Sequence, residues 1–230
     1  MDNGIALTNL TKVYAEGRIR VKAVSSVDLQ IEEGEVVGLF GPSGSGKTTL
    51  LSVIGCILRP TEGSVRIYGT EVSSLDETQL PQIRKKYFSF IFQGFNLFPS
   101  LTAYENVAIV LKLKGIKGAQ ADKRAREMLT SVGLSDRMQF LPRDLSGGQK
   151  QRVSIARALA ADSPIILADE PTANLDQANG RRVMEMLETF AVRQKKCVVV
   201  ATHDSRLEDI FRRILTMEDG RIIKDRRKSL

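Results

Sequence analysis

The sequence contains no run near the ~18–20 consecutive apolar residues that a membrane-spanning helix requires. Its opening, Met1-Asp2-Asn3-Gly4, has neither the basic stretch nor the apolar core of a secretory signal, so the chain is expected to stay in the cytoplasm. Cysteine is scarce: Cys56 and Cys197 are the only two, far apart in the chain. Such a pair builds no disulfide framework and fits no metal-ligand spacing, so buried, reduced thiols are expected. Internal repeats and low-complexity linkers are absent, and nothing in the composition reads as fibrous or disordered. Histidine occurs once, as His203, and a lone histidine is usually a packing or surface residue unless its neighbours give it a task.

What is present is the composition of a globular chain. With 230 residues, 42% hydrophobic and 27% charged, one large α/β domain with internal subdivision is the natural expectation. The net charge of +7 suits an anionic partner: nucleotide, nucleic acid or an anionic lipid surface. Part of the excess sits in Lys224, Arg226, Arg227 and Lys228, which read as a solvated tail, with a lipid head-group contact as the alternative.

Hydrophobic patterning divides the chain. Val27, Leu29 and Ile31 alternate with polar residues, Val65 and Ile67 do the same, and Gly34, Gly63 and Gly69 punctuate them. This is the period of short, half-buried antiparallel strands. Val36 to Phe40 is apolar on both faces, as a central parallel strand should be, and Tyr87 to Phe92, Ile165 to Ala168 and Val198 to Ala201 read alike. Helical patterns separate them. Leu50, Val53, Ile54, Ile57 and Leu58 share one helix face, and Ala121, Ala125, Met128, Leu129 and Val132 share another that Gly133 stops. Thr102-Ala103-Tyr104-Glu105 is a capping-box pattern opening a helix through Leu113. Asp219-Gly220, between Ile214 to Met217 and Arg221 to Ile223, predicts a terminal hairpin.

The fold class predicted is α/β. A core with a mainly parallel sheet spans residues 1–93 and 163–230 and includes an N-terminal antiparallel β-subdomain. An α-helical insertion spans residues 94–162.

Each buried apolar run ends in chemistry: the first at Gly41, the second at Gln93, the third at Asp169-Glu170, the fourth at His203. Ligands of open α/β sheets bind beyond the carboxyl ends of the strands, so these residues are expected to converge. The first set, Gly41-Pro42-Ser43-Gly44-Ser45-Gly46-Lys47-Thr48, fits the phosphate-loop pattern G-x-x-x-x-G-K-[ST]. Its glycines let backbone N–H groups wrap a phosphate chain, and the helix that follows favours the anion. Lys47 would reach the β- and γ-phosphates and Thr48 would ligate Mg²⁺. A dinucleotide fingerprint competes poorly, because Gly44-Ser45-Gly46 continues as Lys47-Thr48-Thr49 without the third glycine. Asp169 would hold Mg²⁺, and Glu170 could polarise an attacking water as general base. Leu145-Ser146-Gly147-Gly148-Gln149 opens an amphipathic helix with a good N-cap and two exposed glycine N–H groups, a second anion site.

With that third motif the chain resembles the ABC ATPase family, from about Ile5 to Lys224 and with every motif in family order. Leu145 to Gln149 matches the family signature, and Gln151 to Leu159 continues it. The resemblance implies that this signature faces ATP held by the P-loop of a second subunit. It further implies roles for Gln93 as the Q-loop glutamine at Mg²⁺ and the attacking water, and for Asp176 in the interface-crossing D-loop, Asn174-Leu175-Asp176. His203 becomes the switch residue at the γ-phosphate, and Tyr14 the aromatic that stacks on adenine. Thr49 and Gln149 complete the nucleotide-binding set.

Within the family the chain is similar to macrolide-exporter, lipoprotein-releasing and cyanobacterial glycolipid-exporter ATPases. Phe92 to Pro99, Leu101 to Val107 and Leu167 to Thr172 carry that likeness, while Ala173 and Gly94 stand where many of that group have Gly and Gln. This implies a homodimer with two ATP molecules between its subunits, driving a separate membrane permease, with a periplasmic adaptor as a further partner. The cassette would sit at the cytoplasmic face of the inner membrane. Phe95, Leu97, Phe98 and Leu101 are the residues expected to meet the permease. Two alternatives remain at this level. One is a cell-division type ATPase that transmits force without cargo. The other is a soluble nucleic-acid or ribosome-associated relative, against which the single cassette and the short Gln93-to-Leu145 interval argue.

Overall fold

A computed structural model describes residues 4–17 and 19–228; the Met1-Asp2-Asn3 opening considered above lies outside them. The chain begins with β1 (Gly4–Glu16), β2 (Ile19–Glu32), β3 (Val36–Phe40), α1 (Lys47–Ile54), β4 (Glu62–Ile67) and β5 (Thr70–Glu71). Next come α2 (Leu80–Tyr87) and β6 (Phe88–Ile91), then three helices, α3 (Ala103–Leu113), α4 (Gly118–Ser131) and α5 (Gly147–Ala160). It closes with β7 (Ile165–Asp169), α6 (Gln177–Arg193), β8 (Cys197–Thr202), β9 (Arg213–Glu218) and β10 (Arg221–Arg227).

Two sheets result. One is antiparallel, in the order β2-β1-β4-β5. The other runs β10-β9-β3-β8-β7-β6, parallel throughout except for the β10 edge. The α/β class with a mainly parallel sheet and a separate antiparallel sheet is therefore what the chain adopts.

The doubly apolar strands explain the layering. Along β7, Ile165 and Leu167 enter the core shared with α1 and the antiparallel sheet, while Ile166 and Ala168 enter the core shared with α3, α4, α5 and α6. In β8, Val198 and Val200 face the helical core and Val199 and Ala201 the other. Period-two geometry sends neighbours to opposite faces, so a strand between two cores must be apolar at every position. Each fully buried Val, Leu or Ile contributes about 1.5–3 kcal/mol against exposure. Cys56 and Cys197 lie in the β-side core as free thiols, and burial raises the Cys56 thiol to about 11.

Local signals set the ends of helices. Thr102 accepts from the Glu105 N–H (3.2 Å) and the Glu105 carboxylate accepts from the Thr102 N–H (2.8 Å), closing the expected box at α3. The Asp219-Gly220 turn has φ of +44° and +77° and pairs Glu218 with Arg221, as a two-residue hairpin requires.

Four expectations are corrected. β1 and β2 are not short: they form a ribbon of 13 and 14 residues, bent by three register shifts. The helix expected to reach Leu58 stops at Ile54, because Gly55 caps it and Cys56 turns left-handed at φ +56°, which leaves Ile57 exposed. Tyr87 ends α2 rather than opening β6, and Phe92 lies beyond that strand. The basic terminus is solvated as expected but is a strand rather than a tail: Arg226 meets Glu208 (2.8 Å), Arg227 meets Glu35 (3.1 Å), and both lie exposed in the edge strand β10. Among the described residues no helix is long and apolar enough to cross a membrane.

Candidate functional site

Parallel pairing aligns the strand ends. Phe40 stands opposite Thr202, Asp169 opposite Ala201 and Ile91 opposite Ala168. The residues that follow those ends therefore share one edge of the sheet. Two direct bonds express this. Thr48 Oγ1 donates to Asp169 Oδ1 at 3.1 Å, and His203 Nδ1 lies 2.8 Å from Glu170 Oε1. A carboxylate can only accept, so Nδ1 is the donor in this contact.

The loop from Gly41 to Gly46 depends on its glycines in two ways. Gly44 has φ +83° and a Cβ there would stand in open space, whereas Gly46 has φ +102° and a Cβ would lie 2.1 Å from the Ala23 carbonyl oxygen. Gly44 thus frees the backbone on the open side, and Gly46 lets the loop press on β2. Lys47 is 7% exposed and its Nζ donates to Gly41 O (2.7 Å) and Pro42 O (3.0 Å), so the ammonium sits inside the loop. Ser45 N–H donates to Pro42 O, while Ser45 Oγ is buried with no partner among the described residues. Ser43 is exposed at the loop crest. From the other end of the chain, Gly220 N–H donates to Ser45 O (3.0 Å), and Ser25 N–H donates to Gly220 O (2.8 Å). The cap of α1 is Gly46, which offers no side chain, so the first-turn N–H groups have no acceptor within the helix.

Charge at the strand ends is tuned by burial. Burial raises the Asp169 carboxyl above its ordinary value, helped by the neighbouring Glu170 charge and opposed by Thr48 and Lys47. Glu170 sits at φ +48°, a costly conformation for a residue with a side chain, and its N–H is tied to Ala201 O at 2.9 Å. Its side chain is 13% exposed and that of His203 is 63% exposed. Thr48 and Asp169 are hard oxygen donors. A hydroxyl and one carboxylate side by side fit Mg²⁺, which keeps several waters and leans on substrate phosphates.

The remaining predicted residues divide. Tyr14, 43% exposed on the β1–β2 ribbon, places its hydroxyl 3.5 Å from Thr49 Oγ1 beside the loop. Gln93 lies two residues past β6, and Asn174 Nδ2 donates to its backbone oxygen at 3.1 Å. Ser146 and Gln149 close a full capping box at α5 (3.3 and 2.8 Å), a feature the S-x-x-Q spacing carries. Asp176 caps α6 through the Asn179 N–H at 3.0 Å, which lowers its carboxyl from the ordinary value. Gly147 and Gly148 pack against Asn174 and Leu175 of their own chain. Among the described residues no hydrogen bond joins 145–149 to 41–48. One chain thus assembles the loop, the carboxylates and His203, and holds the α5 motif elsewhere.

Two features went unread in the sequence. Arg157 donates to the Asn96 and Phe95 carbonyls (2.6 and 2.9 Å), a signal present only as one charge on an otherwise apolar helix face. A groove of about 560 Å³ lies beside it, lined by Phe88, Phe90, Phe92, Phe98, Ile109 and Leu113, with Lys85 and Lys114 among its cations. Of the four residues expected to meet a permease, Phe98 lines this groove, whereas Leu97 packs on the helical core.

Comparison with known proteins places this geometry. Residues 24–173 match the ABC transporter family. An uncharacterised ABC transporter ATP-binding protein of Thermotoga maritima is 44% identical over 222 residues, covering 96% of this chain and 94% of its own. The macrolide export ATP-binding/permease protein MacB of Rhodopseudomonas palustris is also 44% identical, but the chain spans only 34% of its length. The dimeric ATP-binding cassette MJ0796 bound to ADP and Pi superposes with a TM-score of 0.94 at 42% identity, covering 98% of this chain and 100% of that one. MJ0796 belongs to Methanocaldococcus jannaschii. By these likenesses the chain is an ATP hydrolase, and it belongs to the ABC transporter family as an ATP-binding cassette.

Proposed function

We propose that two copies of this chain close head to tail around two ATP molecules and drive a separate membrane permease that exports its cargo. The observation that carries the reading is the split site: Ser146 and Gly147 are exposed at the head of α5, unconnected to the loop that holds Lys47. A second copy supplies what one lacks.

In this reading the loop from Gly41 to Thr49 binds the phosphates, with Lys47 exchanging its two carbonyl partners for β- and γ-phosphate oxygens. Tyr14 stacks on adenine. Thr48, Asp169 and Gln93 would hold Mg²⁺, which would supply positive charge against the phosphates. Glu170 takes a proton from the attacking water, a step worth about 10²–10⁴ in rate. His203, oriented by Glu170, contacts the γ-phosphate, and Gly148 and Ser146 of the second subunit meet it from the far side. Asp176 lies near the same interface. Loss of the γ-phosphate removes the bridge and lets the subunits part.

The export assignment rests on likeness to MacB, and the aromatic groove supports docking of a permease segment beside Gln93. That segment would hold the cassette at the cytoplasmic face of the membrane, with an adaptor beyond it. The test is ATP hydrolysis across a range of protein concentrations. Specific activity should rise with concentration and fall about 10²-fold or more in Glu170→Gln. Activity that is flat with concentration overturns the composite site, and failure to bind ATP overturns the whole reading.

A further inference from the structure

We propose that Arg157 is a positioning residue of the ATPase cycle: its guanidinium holds the turn Phe95–Asn96 and so locks the Gln93 loop to the signature helix. The inference rests on the ATPase reading above. Arg157 is 9% exposed, and among the described residues no carboxylate stands within ion-pairing distance. Burial pushes its pKa below the usual arginine range. A buried cation without a counter-ion must be met by dipoles. Its acceptors are two consecutive carbonyls, Phe95 O and Asn96 O, and no other hydrogen bond engages it among the described residues.

Those two residues are themselves unusual. Phe95 has φ +63° and Asn96 φ +47°, a left-handed pair with no glycine, and phenylalanine gains nothing locally from that conformation. Something outside the loop must hold it. The planar guanidinium fork spans both carbonyls at once, which a lysine ammonium cannot do with the same geometry.

The turn touches three working parts. Gln93 lies two residues before Phe95. The Phe95 ring comes within 4.0 Å of where a Cβ on Gly147 would stand, at the head of α5. Asn96 and Arg157 both line the aromatic groove. Arg157 is itself on α5, so a push on the groove reaches the signature helix and the glutamine together. The loop cannot leave α5 without stranding a buried charge.

The experiment compares Arg157→Lys, and Arg157→Lys with Asn96→Gly, against the parent full chain. Hydrogen exchange at the Phe95 and Asn96 amides, bonded to Phe92 O (3.1 Å) and Gly94 O (2.7 Å), reads the turn without turnover. Exchange there should quicken about tenfold or more in Arg157→Lys, with β8 amides unchanged. In hydrolysis, kcat should fall roughly tenfold while KM for ATP stays within about twofold, because neither Tyr14 nor the P-loop is touched. Asn96→Gly, which accepts the left-handed conformation without strain, should recover roughly threefold of that loss. Unchanged exchange, unchanged kcat, or a loss that glycine leaves in place would each overturn the proposal. A parent that hydrolyses no ATP would sink the ATPase reading, and the exchange data would still decide whether Arg157 holds the turn.

Discussion

The proposed function asks two helix starts of this chain to meet phosphate, and they are finished differently. The start of α1 has glycine at its cap and no side-chain cap bond, so its first-turn N–H groups keep their donor capacity. The start of α5 is closed on itself by Ser146 and Gln149. The first can take phosphate without giving up a side-chain cap; the second must share or exchange its cap bonds to accept one. Nucleotide should therefore bind the α1 loop first, in a single chain, and recruit the α5 motif of another chain second.

The largest expected effect tests the first half of that contrast. Lys47→Ala should weaken ATP binding by about 100-fold or more, since it leaves phosphate charge unanswered in an enclosed loop. Isothermal titration on dilute protein would measure it, and an unchanged Kd breaks the comparison. Ser146→Ala should leave that Kd alone, lower kcat about tenfold and cost roughly 1 kcal/mol of stability through the lost cap. Ser146→Asp sharpens this: it restores the cap but sets a negative charge against the γ-phosphate, so thermal stability should return while hydrolysis stays low. Recovery of both would mean that Ser146 serves only the helix.

A smaller effect concerns Asp169. Its folded pKa lies above the ordinary value, so the stability it lends is full below about pH 3.9 and is lost as pH rises through the folded pKa. At neutral pH the buried charge is a penalty. Asp169→Asn keeps an oxygen to accept from Thr48 and removes that penalty, so ligand-free Tm should rise by roughly 2 °C while hydrolysis is lost. A falling Tm, read by calorimetry at pH 7, would mean that the carboxylate is structurally favourable.

Much of this was legible in the residues, for physical reasons. Strands between two cores must be apolar on both faces, so β3, β7 and β8 announced themselves, and the aromatic run of β6 did so despite Ser89. The loop, the carboxylate pair and the caps at Thr102 and Ser146 are fixed by short-range chemistry and could be read locally. α2 was hidden because only Leu80 is buried on it, and Arg84-Lys85-Lys86 mask any stripe. The hairpin signal announced β10 as far as Ile223, but its run on to Arg227 was hidden because those residues are charged; their place is set by tertiary partners, chiefly Arg213 on Asp225 (2.9 and 2.8 Å). The separation of α5 from the α1 loop, and the task of Arg157, belong to packing across distant segments, which no spacing encodes.

The bond from Gly220 N–H to Ser45 O turns residue order into an order in time. The P-loop leaves the ribosome early, yet one of its supports comes from a hairpin made more than two thirds of the chain later. Until β9 and β10 dock, a nascent cassette carries the motif without its finished shape. A motif written early thus waits on a late-made hairpin for one of its backbone supports.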